Sequence, residues 1–194
     1  MAPTSAASPK RLVLDLSGQV ALVTGASRGI GKAIARRAEA FGLKIVYGGR
    51  RRQTDVAYPY FAAPEELAAN CDILVSVLPG GEATRNAIGA KVFDALGSEG
   101  FFVNIGRGTS VDEPALIAAL RDGRIAGAGL DVYANEPQVP VELVGMDNVV
   151  LLPHVGGATT HVQQAVGAAL LANIRSFAAG QGPLDPVAET PWKK

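Results

Sequence analysis

Hydrophobic positions along the chain switch repeatedly between a continuous run and a helical period, and each switch marks the boundary of an element. Val20 to Val23 is an apolar run long enough for a buried strand, and it breaks at Thr24-Gly25 into small residues. A helical period then runs from Gly25 to Phe41, with Ile30, Ile34, Ala38 and Phe41 on one face and Lys32, Arg36 and Glu39 elsewhere, and Gly42 ends it. Leu43 to Tyr47 predicts a second strand. Strand, helix and strand within about thirty residues make a βαβ unit.

The same alternation continues. Tyr58 to Ala62 reads as a short extended piece, Pro64 opens a brief helix, and Asp72 to Leu78 is a buried strand stopped by Pro79-Gly80-Gly81. A helix over Ala90–Leu96, a strand over Gly100–Ile105 and a helix over Asp112–Arg121 follow, with Asp112 and Glu113 at the positive end of the last. Ile125–Leu130 and Asn148–Leu152 predict two more strands. The final helix, Thr159 to Ala179, carries Val162, Val166, Ala169, Leu170, Asn173 and Phe177 along one stripe, and Gly180 stops it. Alternating strands and helices predict an α/β fold: a Rossmann-type, doubly wound parallel sheet in a single domain. The expected organisation is a flexible tail over 1–11, a dinucleotide-binding domain over 12–180 and a C-terminal arm over 181–194.

Composition narrows this picture more than it adds to it. A chain of 194 residues is long enough to bury about 70% of its unfolded surface without staples. Eighteen basic and eighteen acidic residues cancel, so no general attraction to nucleic acid or to a membrane surface is expected. The single cysteine, Cys71, excludes an internal disulfide, points to a cytoplasmic setting and reads as a buried small hydrophobe. No metal site is expected. The stretch from Asn148 to Ile174 has no charged residue, but its proline, histidines, glutamines and paired glycines exclude a membrane span.

Chemistry belongs where the strands end, because ligands of such sheets sit beyond the strands' carboxyl ends. The turn Thr24 to Gly31 comes first. Glycines at 25, 29 and 31 let a diphosphate approach the backbone, and the following helix aims free N–H groups and its positive dipole end at the same spot. The candidate cofactor-binding residues are therefore Thr24, Gly25, Ser27, Arg28, Gly29, Ile30 and Gly31, joined by Arg50, Arg51, Leu78, Pro79 and Asp131 at later strand ends. The second strand ends in Gly48-Gly49-Arg50-Arg51-Arg52, with no carboxylate to bond a ribose 2′-hydroxyl; arginines there suit a 2′-phosphate. NADP(H) is the expected cofactor, with NAD(H) as the alternative.

Three further positions have the right chemistry. Arg107, between Gly106 and Gly108 at a strand end, can bind a carboxylate bidentately or polarise a carbonyl, or be a plain arginine at a turn. Glu136 and His154 follow the next two strands. If they meet, the carboxylate orients the imidazole and favours its protonated form, giving an acid near neutral pH; a structural histidine is the other reading.

From about Gly29 to Val187 the chain closely resembles the nucleotide-binding domain of D-isomer-specific 2-hydroxyacid dehydrogenases, especially their glyoxylate/hydroxypyruvate reductase branch. The resemblance covers about four fifths of the chain and rests on AIARRAEAFGLKIVYGGRR, NIGRG at Asn104–Gly108, DVYANEP at Asp131–Pro137 and PHVGGAT at Pro153–Thr159. It implies that Arg107 binds the substrate's carboxylate and keto oxygen, that His154 is the proton donor in reduction and that Glu136 pairs with His154. A small 2-keto acid reduced to a 2-hydroxy acid is the implied reaction.

Two departures accompany it. Leu14 to Gly31 resembles instead the opening of a short-chain dehydrogenase/reductase, T-G-x-x-x-G-x-G at Thr24, Gly25, Gly29 and Gly31. A junction near Gly31 fits a natural recombinant, an engineered chimera or a designed sequence. The catalytic Tyr-x-x-x-Lys of that second family is absent, which argues against a short-chain-type reductase. The resemblance also implies a substrate domain, largely missing from these residues, so an NADP(H)-binding module with little or no turnover is the alternative to an enzyme. The alanine-rich final helix and its neighbours resemble elements the dehydrogenase family uses for dimers, with which a homodimer is compatible.

Overall fold

The computed structural model of the chain describes residues 16, 18–24, 29–187 and 192. The expected tail over 1–11 lies outside the described residues. In chain order the elements are β1 (Val20–Thr24), α1 (Gly29–Ala40), β2 (Lys44–Gly48), β3 (Tyr60–Phe61), α2 (Pro64–Ala68), β4 (Ile73–Ser76), α3 (Ala90–Leu96), β5 (Phe101–Asn104), α4 (Glu113–Arg121), β6 (Gly127–Leu130), α5 (Val141–Val144), β7 (Val149–Leu151) and α6 (Thr160–Ala178). All seven strands form one sheet in the order β3-β2-β1-β4-β5-β6-β7, and every pair is parallel. The chain divides into two compact units, one ending at Leu151 and one beginning at Leu152, and the whole sheet belongs to the first.

Alternation along each strand supplies two cores. Val46, Leu74, Phe102, Ala128 and Leu130 face α2, α3 and α4, packing on Leu67, Phe93, Leu96, Leu116 and Leu120. On the opposite face Ala21, Val23, Ile45, Tyr47 and Val75 pack with Ala35 of α1. Because successive strand residues point to opposite faces, near-continuous apolar runs are what a sheet covered on both sides requires.

Local signals account for several boundaries. Asp112 caps α4, its Oδ1 accepting the Ala115 N–H at 3.1 Å, with Glu113 in the first turn and Arg121 in the last. Thr159 caps α6 through the Val162 N–H at 3.2 Å. The expected strand over Asp72–Leu78 is shorter than its apolar run, because beyond Ser76 the Val77 N–H leaves the ladder and donates to Thr24 Oγ1 at 2.8 Å.

The structure corrects one predicted face. Ile30 and Phe41, expected on the inward stripe of α1, are 67% and 70% exposed; the buried positions are Gly31 and Ala35. Ile34 and Ala38 of the same stripe do pack on the core that Ala35 joins, the buried contacts are made by small residues, and Phe41 lies beyond the last helical residue, where the period no longer holds. The four-residue α5 is an element that the hydrophobic pattern does not predict, being too short to display a period. Among the described residues no helix is long and apolar enough to cross a membrane.

Candidate functional site

The strand order reverses direction between β1 and β4, which places the ligand crevice of a doubly wound sheet at their carboxyl ends. Thr24 closes β1 there, 5% exposed, and its bond from the Val77 N–H ties the ends of the two strands together. Helix α1 opens at Gly29 with φ +58°, a conformation that favours glycine, and among the described residues no atom lies within 4 Å of where a Cβ would stand. Ile30 is exposed in the first turn and Gly31 is buried behind it. Gly25, Ser27 and Arg28 lie outside the described residues. Across the crevice, Leu78 is half-buried and Pro79 exposed; the Pro79 carbonyl accepts the Thr84 hydroxyl at 2.6 Å.

The loop after β5 is the most tightly built part of the site. Asn104, 1% exposed, accepts the Gly106 N–H on Oδ1 at 3.1 Å and donates from Nδ2 to the Arg107 carbonyl at 3.3 Å. Buried Ser110 donates its hydroxyl to the same carbonyl at 2.6 Å. Neighbouring backbone explains both glycines: a Cβ on Gly106 would run into the main chain of Val77 and Leu78, and one on Gly108 into the main chain of Tyr133 and Ala134. The loop is thus wedged between the segments that follow β4 and β6. Arg107 itself is exposed, its Nη1 donating to the Gly106 carbonyl at 2.8 Å, and its stem runs past Gly80, where a Cβ would stand 3.3 Å from the Arg107 Cγ.

After β6, Asp131 is buried and its N–H donates to the Asn104 carbonyl at 3.0 Å. The Glu136 carboxylate accepts the Tyr133 N–H at 3.1 Å, and Glu113, from the first turn of α4, accepts the Ala134 N–H at 3.0 Å. Sequence position assigns Glu113 to the helix dipole; in the fold it also holds the loop that carries Glu136. Asn104 reads in the sequence as a strand residue, although its place inside NIGRG is a signal of something more. Arg107 and Glu136 belong to the first compact unit. His154 belongs to the second; it is exposed, with φ +56°, a left-handed conformation that histidine adopts more readily than most side chains. Glu136 and His154 therefore belong to different units.

At the end of β2 the donor set is cationic. Arg50, Arg51 and Arg52 are exposed, and their guanidiniums make no ion pair or side-chain hydrogen bond with any described residue. No carboxylate follows the strand directly; the first, Asp55, lies 3.6 Å from the Lys32 ammonium. A glycine-opened helix at the switch point, flanked by unengaged arginines at the next strand end, fits a dinucleotide carrying an extra phosphate. Cys71 plays no part: it packs beside the first core, and burial pushes its thiol up to about 12, with Asp72 adding to the shift.

Comparison with known proteins bears on this arrangement. The family model described as "D-isomer specific 2-hydroxyacid dehydrogenase, NAD binding domain" matches residues 4–156, so β1 and the turn after it fall inside the match. A glyoxylate/hydroxypyruvate reductase A of Arabidopsis thaliana is 46% identical over 177 residues, 91% of this chain and 56% of that protein. A hydroxyphenylpyruvate reductase of Plectranthus scutellarioides is 44% identical over the same shares. Among solved structures, the NADPH-dependent glyoxylate/hydroxypyruvate reductase of Sinorhizobium meliloti, in complex with NADP and malonate, superposes with a TM-score of 0.87 at 42% identity, covering 94% of this chain and 57% of that one. The chain thus spans a little over half the length of these relatives.

Proposed function

The chain belongs to the D-isomer specific 2-hydroxyacid dehydrogenases through their NAD-binding domain, and on that premise we propose that it serves the NADP(H)-dependent reduction of a small 2-keto acid, of the glyoxylate or hydroxypyruvate type, to the 2-hydroxy acid. The observation that carries the reading is the Gly106-Arg107-Gly108 loop, clamped by Asn104 and Ser110 and wedged between two strand ends. A main chain held so firmly fixes where the Arg107 side chain starts beside the crevice, which favours the binding of an anionic substrate.

In this reading Arg107 binds the substrate carboxylate and draws electron density toward the keto oxygen. His154 delivers a proton to that oxygen, and Glu136 pairs with the imidazole and orients it. The reduced nicotinamide, when bound, supplies the hydride for the keto carbon. Thr24, Gly29, Ile30 and Gly31, with Gly25, Ser27 and Arg28, line the diphosphate, Arg50 and Arg51 take the 2′-phosphate, and Leu78, Pro79 and Asp131 border the rest of the dinucleotide. The S. meliloti relative's complex with NADP and malonate supports both parts, malonate being a small carboxylate. The proposal includes a cytoplasmic setting, and a homodimer is compatible with it.

The test is to titrate NADPH and NADH by fluorescence and then follow NADPH oxidation with glyoxylate or hydroxypyruvate, beside a His154→Ala variant. Turnover abolished by the substitution supports the dehydrogenase. Binding without turnover assigns this chain the cofactor-binding role alone, and turnover indifferent to the substitution overturns the site. Reversing charge at Arg50 and Arg51 is expected to weaken NADPH much more than NADH; equal losses overturn the 2′-phosphate assignment. Light scattering reads the oligomeric state.

A further inference from the structure

The arginine segment after β2 is held by two tyrosines from the sheet edge. Tyr47 of β2 and Tyr60 of β3 are register partners, with ring centroids 5.2 Å apart and planes inclined by 50°. Tyr60 donates its hydroxyl to the Gly49 carbonyl at 2.8 Å, just ahead of Arg50. The Tyr47 hydroxyl, on a side chain buried to 1% exposure, accepts the Gln53 N–H at 2.9 Å, just beyond Arg52. Between these anchors the Gln53 side chain donates to the Arg51 carbonyl at 3.2 Å. Both ends and the middle of the segment are thus tied at the main chain, while its three guanidiniums stay exposed and unengaged among the described residues.

The surrounding charges leave that field intact. Asp55 lies against the Lys32 ammonium at 3.6 Å, and Glu39 of α1 accepts the Tyr58 hydroxyl at 3.0 Å. Three like charges in a row repel one another and favour a spread, mobile loop. A main chain fixed beforehand removes much of the ordering that a phosphate would otherwise have to impose.

We propose that Tyr60 and Tyr47 are positioning residues for cofactor selectivity: their hydroxyls fix the segment 49–53 so that its arginines discriminate a dinucleotide with a 2′-phosphate from one without. This rests on the NADP(H) reading above. The two tyrosines touch no part of the cofactor in this scheme; they act through the backbone of the arginines.

Fluorescence titration of the full chain with NADPH and NADH tests it, using Tyr60→Phe, Tyr47→Phe and, as a control, Tyr58→Phe, whose hydroxyl bonds Glu39 and not the segment. Phenylalanine keeps each ring, and thermal melting confirms that each variant is folded. Loss of either anchoring hydroxyl is expected to weaken NADPH about three- to tenfold, the range of one hydrogen bond's net worth, with NADH within about twofold. Tyr58→Phe is expected to leave the ratio unchanged. An unchanged ratio in the Tyr60 and Tyr47 variants overturns the inference and leaves the NADP(H) reading standing. Equal losses for both cofactors, or the same change in the Tyr58 control, overturn it as well. A wild-type chain that binds NADH as tightly as NADPH overturns the NADP(H) reading and the inference together.

Discussion

Asn104 holds the main chain on both sides of the Gly106–Arg107 step, accepting from the Gly106 N–H at 3.1 Å and donating to the Arg107 carbonyl at 3.3 Å. A carboxamide supplies a donor and an acceptor on one planar group, which is why neither aspartate nor leucine can substitute for it here. The strand end thereby sets where the arginine stem begins.

Asn104→Ala is expected to destabilise the chain by about 1–3 kcal/mol, because the buried Gly106 N–H loses its partner while the Arg107 carbonyl keeps Ser110. Thermal melting measures the loss. Weaker binding of a small carboxylate such as malonate, at unchanged cofactor affinity, would separate positioning of Arg107 from general destabilisation.

Gly108→Ala should be among the most damaging single substitutions in the sheet unit. Its methyl would occupy the space of the Tyr133–Ala134 peptide, which is main chain and cannot rotate away. Overpacking of this kind costs about 1–3 kcal/mol or more. Gly29→Ala is the comparison: it meets no atom of a described residue within 4 Å, and its φ of +58° costs about 1–2 kcal/mol. Melting temperatures of the pair should show the larger fall for Gly108→Ala; the reverse order would contradict the wedge.

Phe102→Ala is expected to cost about 3–5 kcal/mol. Phe102 is fully buried in the centre of β5 and meets Phe93 of α3 edge-on, at a centroid distance of 5.4 Å and an angle of 73°. Urea unfolding followed by far-ultraviolet circular dichroism gives the difference.

Cys71 should resist alkylation by iodoacetamide in the native chain at pH 8 and react readily in urea, since its thiol is raised from 9.0 to about 12, first by burial and then by Asp72. The raised value favours the protonated thiol in the fold. Its contribution to stability is therefore complete below pH 9 and is lost as pH climbs from about 9 toward 12. Equal reactivity in both states would refute the buried thiol.

Hydrophobic periodicity and residue chemistry already make much of this molecule legible. Every strand is anticipated within a few residues, because a sheet covered on both faces writes itself as short apolar runs, and helix α3 falls where a short helix is expected. Arg107 stands out because two glycines flank it, and the cationic end of β2 is visible as three adjacent arginines. The inward face of α1 is only half legible in this way: Ile34 and Ala38 of the expected stripe pack on the core, but the buried contacts are Gly31 and Ala35, which leave no strong hydrophobic signal. Nor do Tyr47, Tyr60, Asn104 and Glu113 announce themselves as the residues that hold the site's loops, for their partners are backbone groups that no side-chain pattern records.

By itself, then, the sequence determined the order of elements, the parallel architecture and the identity of the charged groups at the strand ends, all of which follow from local periodicity and residue chemistry. Tertiary structure alone decided which loops press against one another. The Gly108 contact with Tyr133, the Thr24 bond to Val77 and the pairing of Tyr47 with Tyr60 join residues brought together by the strand order and register. Such contacts depend on where separate strands end in space, and spacing along the chain carries no record of it.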